Sequence, residues 1–497
     1  MSRQVLFLMI AFACTCCDLL ASEQSPLEVT SAHFTVTTDA NEKEARRILD
    51  NFERMRWVFQ TLFPKTNVDP SSPILVIAMK DRKSLQAIEP EAYLTKGQVD
   101  VAGLFLKTRD KNYVLMRLDV QGEHPYFTIF HEYTHLQFSG DSEWLPLWLN
   151  EGMAEFFQNT DFHEKEVILG EPSADDILFL REHPTIPLAD LFRVDRKSPY
   201  YHQENKATVF YAESWALTHY LQVQDREKGT NWVNDYMMLM KQHQDPVTAA
   251  EKAFGDLSQL ETALHFYIRQ QKYKQFILSS AAAPLNPASY KVRTLSQSEY
   301  DGRRADFMAC IGRKKDARAL LETVMTADPT NAAARETRGY LEMVDGNQDA
   351  ARTWYGEAVK LDSQSYLAHY YFAALTIRSG NVDQDAQVEA GFRSAIRLNP
   401  SFAPAYDQLS SFFGMRHKNL DEAQSLNLKA VQLDRSNLGY RFNAANLLAI
   451  RGDFDNAEKV LKIAAPLAKT PSDAAEVKSR QDQIASMRKR KAEADTR

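Results

Sequence analysis

The chain has 497 residues, of which 44% are hydrophobic, 11% aromatic and 25% charged, the balance of a soluble globular protein. That length exceeds one ordinary core, so two or three domains are expected. With 59 Lys and Arg against 66 Asp and Glu, the net charge of -7 gives no electrostatic basis for a nucleic-acid partner.

At the N-terminus, Arg3 precedes an apolar run from Val5 to Cys17, and small residues follow at Ala21 and Ser22. The run is too short to span a bilayer and has the layout of a cleaved export signal, assigned to residues 1–22. Cys14 only partly matches the setting of a lipid-modified cysteine, so no membrane association is expected apart from that lipidation. Cys14, Cys16 and Cys17 all lie in this segment; once it is removed, Cys310 alone remains and no intrachain disulfide can form. Export without a disulfide framework fits the bacterial periplasm or the extracellular space.

The next stretches read as a small mixed sheet with one helix. His33–Thr38 alternates as a half-buried strand does, and Pro73–Met79 is a short apolar run bounded by turn residues. Between them, Asn41–Phe63 carries Ile48, Phe52, Met55, Val58, Phe59 and Leu62 at helical spacing. Gln98–Leu106 and Tyr113–Leu118 read as two further strands across a polar turn.

The sheet leads into Pro125–Phe157, which reads as two short helices joined by a polar turn, with Pro125 and Pro146 each expected at a first helical position. His131 and His135 are four apart, so both imidazoles project from one face of the first helix, with Glu132 beside them. This H-E-x-x-H spacing supplies two nitrogen ligands for zinc and a carboxylate able to take a proton from a metal-activated water. A hydrolytic zinc site needs a third protein ligand and an open position. Glu151 on the second helix offers that ligand, and Glu155, one turn further on, can fix a histidine tautomer. Asn205–Val223 follows as another helix, and two more helical stretches extend to Lys272. Ser279–Ser289, with Pro284 and Pro287, reads as a connector.

Three segments, HEYTH, WLNEGMAEF and YAESWAL, together resemble the gluzincin zinc metallopeptidases of the peptidase MA-like superfamily. The resemblance covers about Val29 to Lys272 and is greatest to bacterial members that join such a domain to tetratricopeptide repeats. It implies one Zn2+ per chain held by His131, His135 and Glu151, with Glu132 as general base and later proton donor to the leaving amine. It also implies that Glu155 supports His131 and that Tyr211 donates to the oxyanion of the tetrahedral intermediate. His202 and His219 are weaker candidates for that last role. In this family the strand nearest the site pairs with extended peptide, which falls on Tyr113–Asp119 or Val101–Phe105. Aminopeptidases of the family hold the substrate amine with a G-x-M-E-N segment; the corresponding Asp100–Lys107 has no glutamate, so an endopeptidase is expected.

The last third is repetitive. Gly312, Gly346 and Gly380 recur every 34 residues; Gly452 holds the same place, and Lys418 replaces glycine in the unit between. Ala317, Ala351, Ala423 and Ala457 each follow that position by five residues. The period and the small residues at helix crossings are those of tetratricopeptide repeats, about four of them, with a protein partner expected on the array. Pro471 onward is a charged helix with a basic run at Arg488–Lys491, read as a polar cap.

The expected architecture is therefore an α+β, thermolysin-like metallopeptidase domain followed by an all-α tetratricopeptide-repeat solenoid. Its divisions are a signal over 1–22, a peptidase domain over 28–275, a linker over 276–295, repeats over 296–470 and a charged helix over 471–497. The expected function is an exported zinc peptidase acting on a peptide or protein substrate. The alternative is a non-catalytic binding or assembly scaffold with a relict peptidase domain.

Overall fold

The computed structural model describes residues 25–495, apart from 65–67, 70–71, 95–101, 109, 121–125, 139–144, 196, 203, 280–285, 379, 381 and 469. The expected export signal and Pro125 lie outside the described residues.

Nine strands are present among the described residues: β1 (Leu27–Thr30), β2 (Phe34–Thr38), β3 (Ile74–Met79), β4 (Gly103–Lys107), β5 (Asn112–Arg117), β6 (Asp161–Phe162), β7 (Glu166–Leu169), β8 (Phe276–Ser279) and β9 (Lys291–Thr294). Six form a mixed sheet in the order β4-β5-β3-β2-β1-β9, with β2, β3 and β5 parallel; β6, β7 and β8 form a small antiparallel one. The helices before the repeats are α1 (Glu42–Leu62), α2 (Arg82–Gln86), α3 (Glu91–Leu94), α4 (Phe127–Phe138), α5 (Leu147–Gln158), α6 (Ala174–Glu182), α7 (Leu188–Leu191), α8 (Pro199–His202), α9 (Glu204–Lys228), α10 (Trp232–Lys241), α11 (Pro246–Phe254) and α12 (Leu257–Ile268).

Strand β3 reads Ile-Leu-Val-Ile-Ala-Met with no polar residue, the signature of a strand covered on both faces. Its Ile74, Val76 and Ala78, with Val114 and Met116 of β5, enter the main core against α1 and α4. Helix α1 is started by Asn41, whose side chain accepts from the Glu44 N–H at 3.0 Å, and it buries Ile48, Phe52, Met55, Val58 and Phe59. The opposite face, Ile77, Met79, Tyr113 and Leu115, packs instead on Phe307, Met308 and Leu321 of the repeat region. The first repeat is thus the second covering layer of the sheet.

This corrects the expected linker over 276–295, which contributes β8 and β9; β9 pairs antiparallel with β1 at the sheet edge. All four residues of β9 are exposed, so no apolar alternation marked it as a strand. Arg293 also bridges Glu28 at 2.9 Å, tying the connector to the sheet.

The repeats form five helical hairpins, one more than about four: α13 (Gln297–Cys310) with α14 (Lys314–Ala327), α15 (Ala332–Val344) with α16 (Gln348–Lys360), α17 (Tyr366–Arg378) with α18 (Asp385–Leu398), α19 (Ala403–Met415) with α20 (Leu420–Leu433), and α21 (Leu438–Ile450) with α22 (Phe454–Ala464). Gly312, Gly346, Gly380 and Gly452 close their hairpins at φ of 72–88°, where only glycine is unstrained. In the fourth hairpin, whose turn has no glycine, His417 and Asn419 take that conformation at φ 50° and 46°. This is a tetratricopeptide-type array by its period and its paired helices. The last helix, α23 (Pro471–Asp495), buries Val477 and Ile484 against α21 and α22 and covers the end of the array. Among the described residues, no helix is long and apolar enough to cross a membrane.

Candidate metal centre

Helix α4 is anchored from behind by Tyr133, fully buried among Phe34, Phe52 and Phe59 at ring-centroid distances of 6.0–6.1 Å. Because residues 131, 132 and 135 lie off that buried face, all three remain only partly buried. Helix α5 begins after Pro146, which is its N-cap rather than its first helical residue. Phe59 packs on both Phe138 of α4 and Phe157 of α5, fixing the two helices against α1. On the other side α5 lies against α9 without room for a side chain. A Cβ on Gly152 would sit 2.2 Å from Thr218 Oγ1 and 2.4 Å from the Ser214 carbonyl oxygen. Glycine at 152 therefore sets the depth of its neighbour Glu151.

The packing brings His131, His135 and Glu151 together, and one ligand atom from each lies within 4.8 Å of the others. The two Nε2 atoms are 3.1 Å apart, Glu151 Oε2 is 3.1 Å from His135 Nε2, and it is 3.5 Å from His131 Nε2. A tetrahedral zinc with bonds of about 2.0–2.1 Å spaces its ligand atoms about 3.3 Å apart. The triangle therefore has the size a zinc ion requires, and two imidazoles with one carboxylate are a donor set suited to it. Glu155, also buried, lies 3.3 Å from His131 Nδ1, where it can accept that N–H and leave the Nε2 lone pair for a metal.

The electrostatics favour a cation at this point. Burial opposes charge on His131, but Glu151 and Glu155 outweigh it and push its pKa up to about 10. Burial likewise raises Glu151, yet hydrogen bonds from both histidines hold it down at about 2. The carboxylates thus attract positive charge to the imidazole pair. Glu132 lies half-buried on the same helix.

Tyr211 sits on α9 with its ring centroid 6.4 Å from that of His131, edge to face. Tyr211, Ser214 and Thr218 follow one another at helical spacing, so the contact that locks Gly152 also points Tyr211 toward the histidines. His219 does not belong to the site. It is fully buried, its Nδ1 pairs with the Tyr267 hydroxyl at 2.5 Å, and burial pushes its pKa down to about 4. The side chain of His202 lies outside the described residues. Burial and then Asp306 push the Cys310 thiol up to about 12, which favours its protonated form.

Glu213, two residues after Tyr211, is a buried carboxyl to which the motifs gave no role. Its Oε2 accepts the Ile186 N–H at 2.7 Å, and burial pushes its pKa from 4.5 up to about 8. Between those two pH values the folded chain keeps a proton that the unfolded chain has lost, so stability falls as pH rises through that window. Glu213→Gln keeps the acceptor without the titration. Thermal unfolding from pH 5 to about 8.5 should therefore show a shallower loss of stability in the variant than in the native chain.

Compared with known proteins, residues 127–237 match a family described as "Protein of unknown function (DUF1570)". That segment runs from α4 into α10 and contains every residue of the candidate site. No curated protein is similar enough to count as a match. Among solved structures, YrrB, "a TPR protein with an unusual peptide-binding site", is 17% identical, with 37% of this chain and 92% of that chain covered and a TM-score of 0.33. A tetratricopeptide repeat protein from Parabacteroides merdae is 17% identical over 40% of this chain and 78% of its own, at a TM-score of 0.33. MamA from Desulfovibrio magneticus is 17% identical over 35% and 96%, at 0.30. Likenesses of this size carry no argument about function.

Proposed function

We propose that this chain is a zinc-dependent metallopeptidase of the gluzincin type, with a thermolysin-like catalytic domain and an attached repeat array. The single observation that carries this reading is the triangle of His131 Nε2, His135 Nε2 and Glu151 Oε2, with sides of 3.1–3.5 Å. A zinc ion held there would supply Lewis acidity toward a peptide carbonyl and toward water. Glu132, on the same helix as both histidines, takes the proton of the attacking water and delivers it to the leaving amine. Tyr211 donates its hydroxyl to the oxygen on which negative charge develops. Glu155 holds the tautomer of His131. Substrate is a peptide or protein, and export to the bacterial periplasm or beyond is the proposed location.

Strand β4 (Gly103–Lys107) occupies the sheet edge beside α4 and carries no carboxylate to pair a substrate's free amine. The proposed activity is accordingly that of an endopeptidase. Profiling on a mixed peptide library, with and without chelator, tests it: cleavage should be internal, chelator-sensitive and indifferent to N-acetylation. A strong preference for free amines would overturn the endopeptidase assignment.

The ten paired helices of the array favour a second reading, a protein-binding scaffold whose peptidase domain is relict. Zinc binding without hydrolysis of any library member would select it.

A further inference from the structure

In the array, the face made by the first helix of each hairpin carries the side chains expected to meet a partner. Over the first three hairpins the chain's own β4–β5 turn reaches that face. Lys111 Nζ lies 2.6 Å from Asp306 Oδ2 of α13, and the Tyr113 hydroxyl donates to the same oxygen. The second oxygen of Asp306 accepts from Thr337 Oγ1 of α15 at 3.1 Å. On the other side of the turn, Asp110 accepts from the Tyr371 hydroxyl of α17. Burial opposes charge on Lys111, and Asp306 more than restores it, so the pair stays ionised. Within the turn, Thr108 Oγ1 donates to the Lys111 carbonyl at 2.6 Å and accepts the Lys111 N–H at 3.0 Å. The turn is therefore held directly by the first and third hairpins, while the second steadies Asp306 through Thr337.

What it holds is the strand beside the metal centre. Leu104 and Leu106 of β4 pack toward the repeat layer, and Phe105 packs toward the main core. At Gly103 the backbone comes so close to α4 that a Cβ would lie 2.7 Å from Ile129 Cδ1. Among the described strands β4 has a neighbour on one side only, β5, and its other edge is where an extended chain can add by main-chain hydrogen bonds.

We infer that the first three repeats position the edge strand for substrate, with Asp306 and Tyr371 acting as positioning residues through Lys111 and Asp110. This inference rests on the peptidase reading. It assigns that part of the array to the chain's own hairpin, leaving the fourth and fifth hairpins for a protein partner. The repeats then tune how well an extended peptide docks, without touching the reacting atoms.

The test uses full-length Tyr371→Phe, which removes one hydroxyl and keeps the buried ring in its packing against Tyr355 and Tyr370, with Asp110→Asn and the double variant beside it. Each single variant should raise KM for a long library-derived peptide about 3- to 10-fold while leaving kcat within about twofold. Zinc content should be unchanged. The double variant should add little to either single one, as expected for partners in one contact. Amide hydrogen exchange over 103–107 should accelerate in all three variants. Unchanged KM and unchanged exchange in a chain that cleaves peptides would overturn the positioning role and leave the peptidase reading intact. Faster exchange with KM unmoved would overturn it equally, because the strand would then loosen without consequence for docking. A native chain that binds zinc and cleaves nothing would instead remove the peptidase reading, and this inference with it.

Discussion

Glu132→Gln should bind zinc as the native chain does and lose about 10²- to 10⁴-fold in kcat/KM, the contribution general acid–base groups usually make. The substitution keeps the size and hydrogen-bonding reach of the side chain but removes its basicity. Glu132 is not among the three groups whose ligand atoms converge, so the His131–His135–Glu151 triangle should survive the change. His135→Ala has the opposite character: it deletes a corner of the triangle and should lose metal and hydrolysis together. Kinetics on a cleaved library peptide, paired with metal analysis of the same samples, separates the two behaviours. Undiminished cleavage by Glu132→Gln would refute the role assigned to that carboxylate.

Gly152→Ala should be among the most damaging single-methyl additions in the protein. The new Cβ meets the Ser214 carbonyl oxygen at 2.4 Å and its carbon at 2.9 Å, and backbone in the middle of α9 cannot swing aside as a side chain can. Helices α5 and α9 would have to separate, at a cost of about 3 kcal/mol, the upper part of the range for overpacked cores. Because Glu151 is the preceding residue, that separation also draws its carboxylate away from the histidines, so zinc affinity should fall with stability. Trimming Thr218 to alanine should rescue little, since the backbone obstruction remains. Gly339→Ala is the internal comparison: its nearest contact is the Tyr355 ring at 3.0 Å, a side chain with some freedom to shift. Denaturant unfolding checks both; a Gly152→Ala midpoint equal to the native one would mean that the helix contact is looser than described.

Much of the candidate site was legible because its ligands come from helices, where spacing dictates direction. The four-residue step from His131 to His135 forces the imidazoles to one face of the helix. Tyr211 was reachable only through the resemblance of YAESWAL, and Glu213 gave no signal, because burial of one carboxyl is a tertiary fact. In the fold, the unbroken apolar run of β3 already implied cover on both faces. No local pattern could show that the second cover is the first repeat hairpin. Strand β9, Lys-Val-Arg-Thr, is an exposed edge with no buried face to leave a periodicity. Lys418 stands where the glycine series would continue in the fourth hairpin, and His417 and Asn419 turn the chain there instead.

The most direct measurement is the metal content of the purified full-length chain, with X-ray absorption at the zinc edge. About one zinc per chain is predicted, in a shell of nitrogen and oxygen without sulfur, and lost on His135→Ala or Glu151→Ala. A chain that takes up no zinc when it is supplied, or keeps it undiminished after both substitutions, would contradict the account.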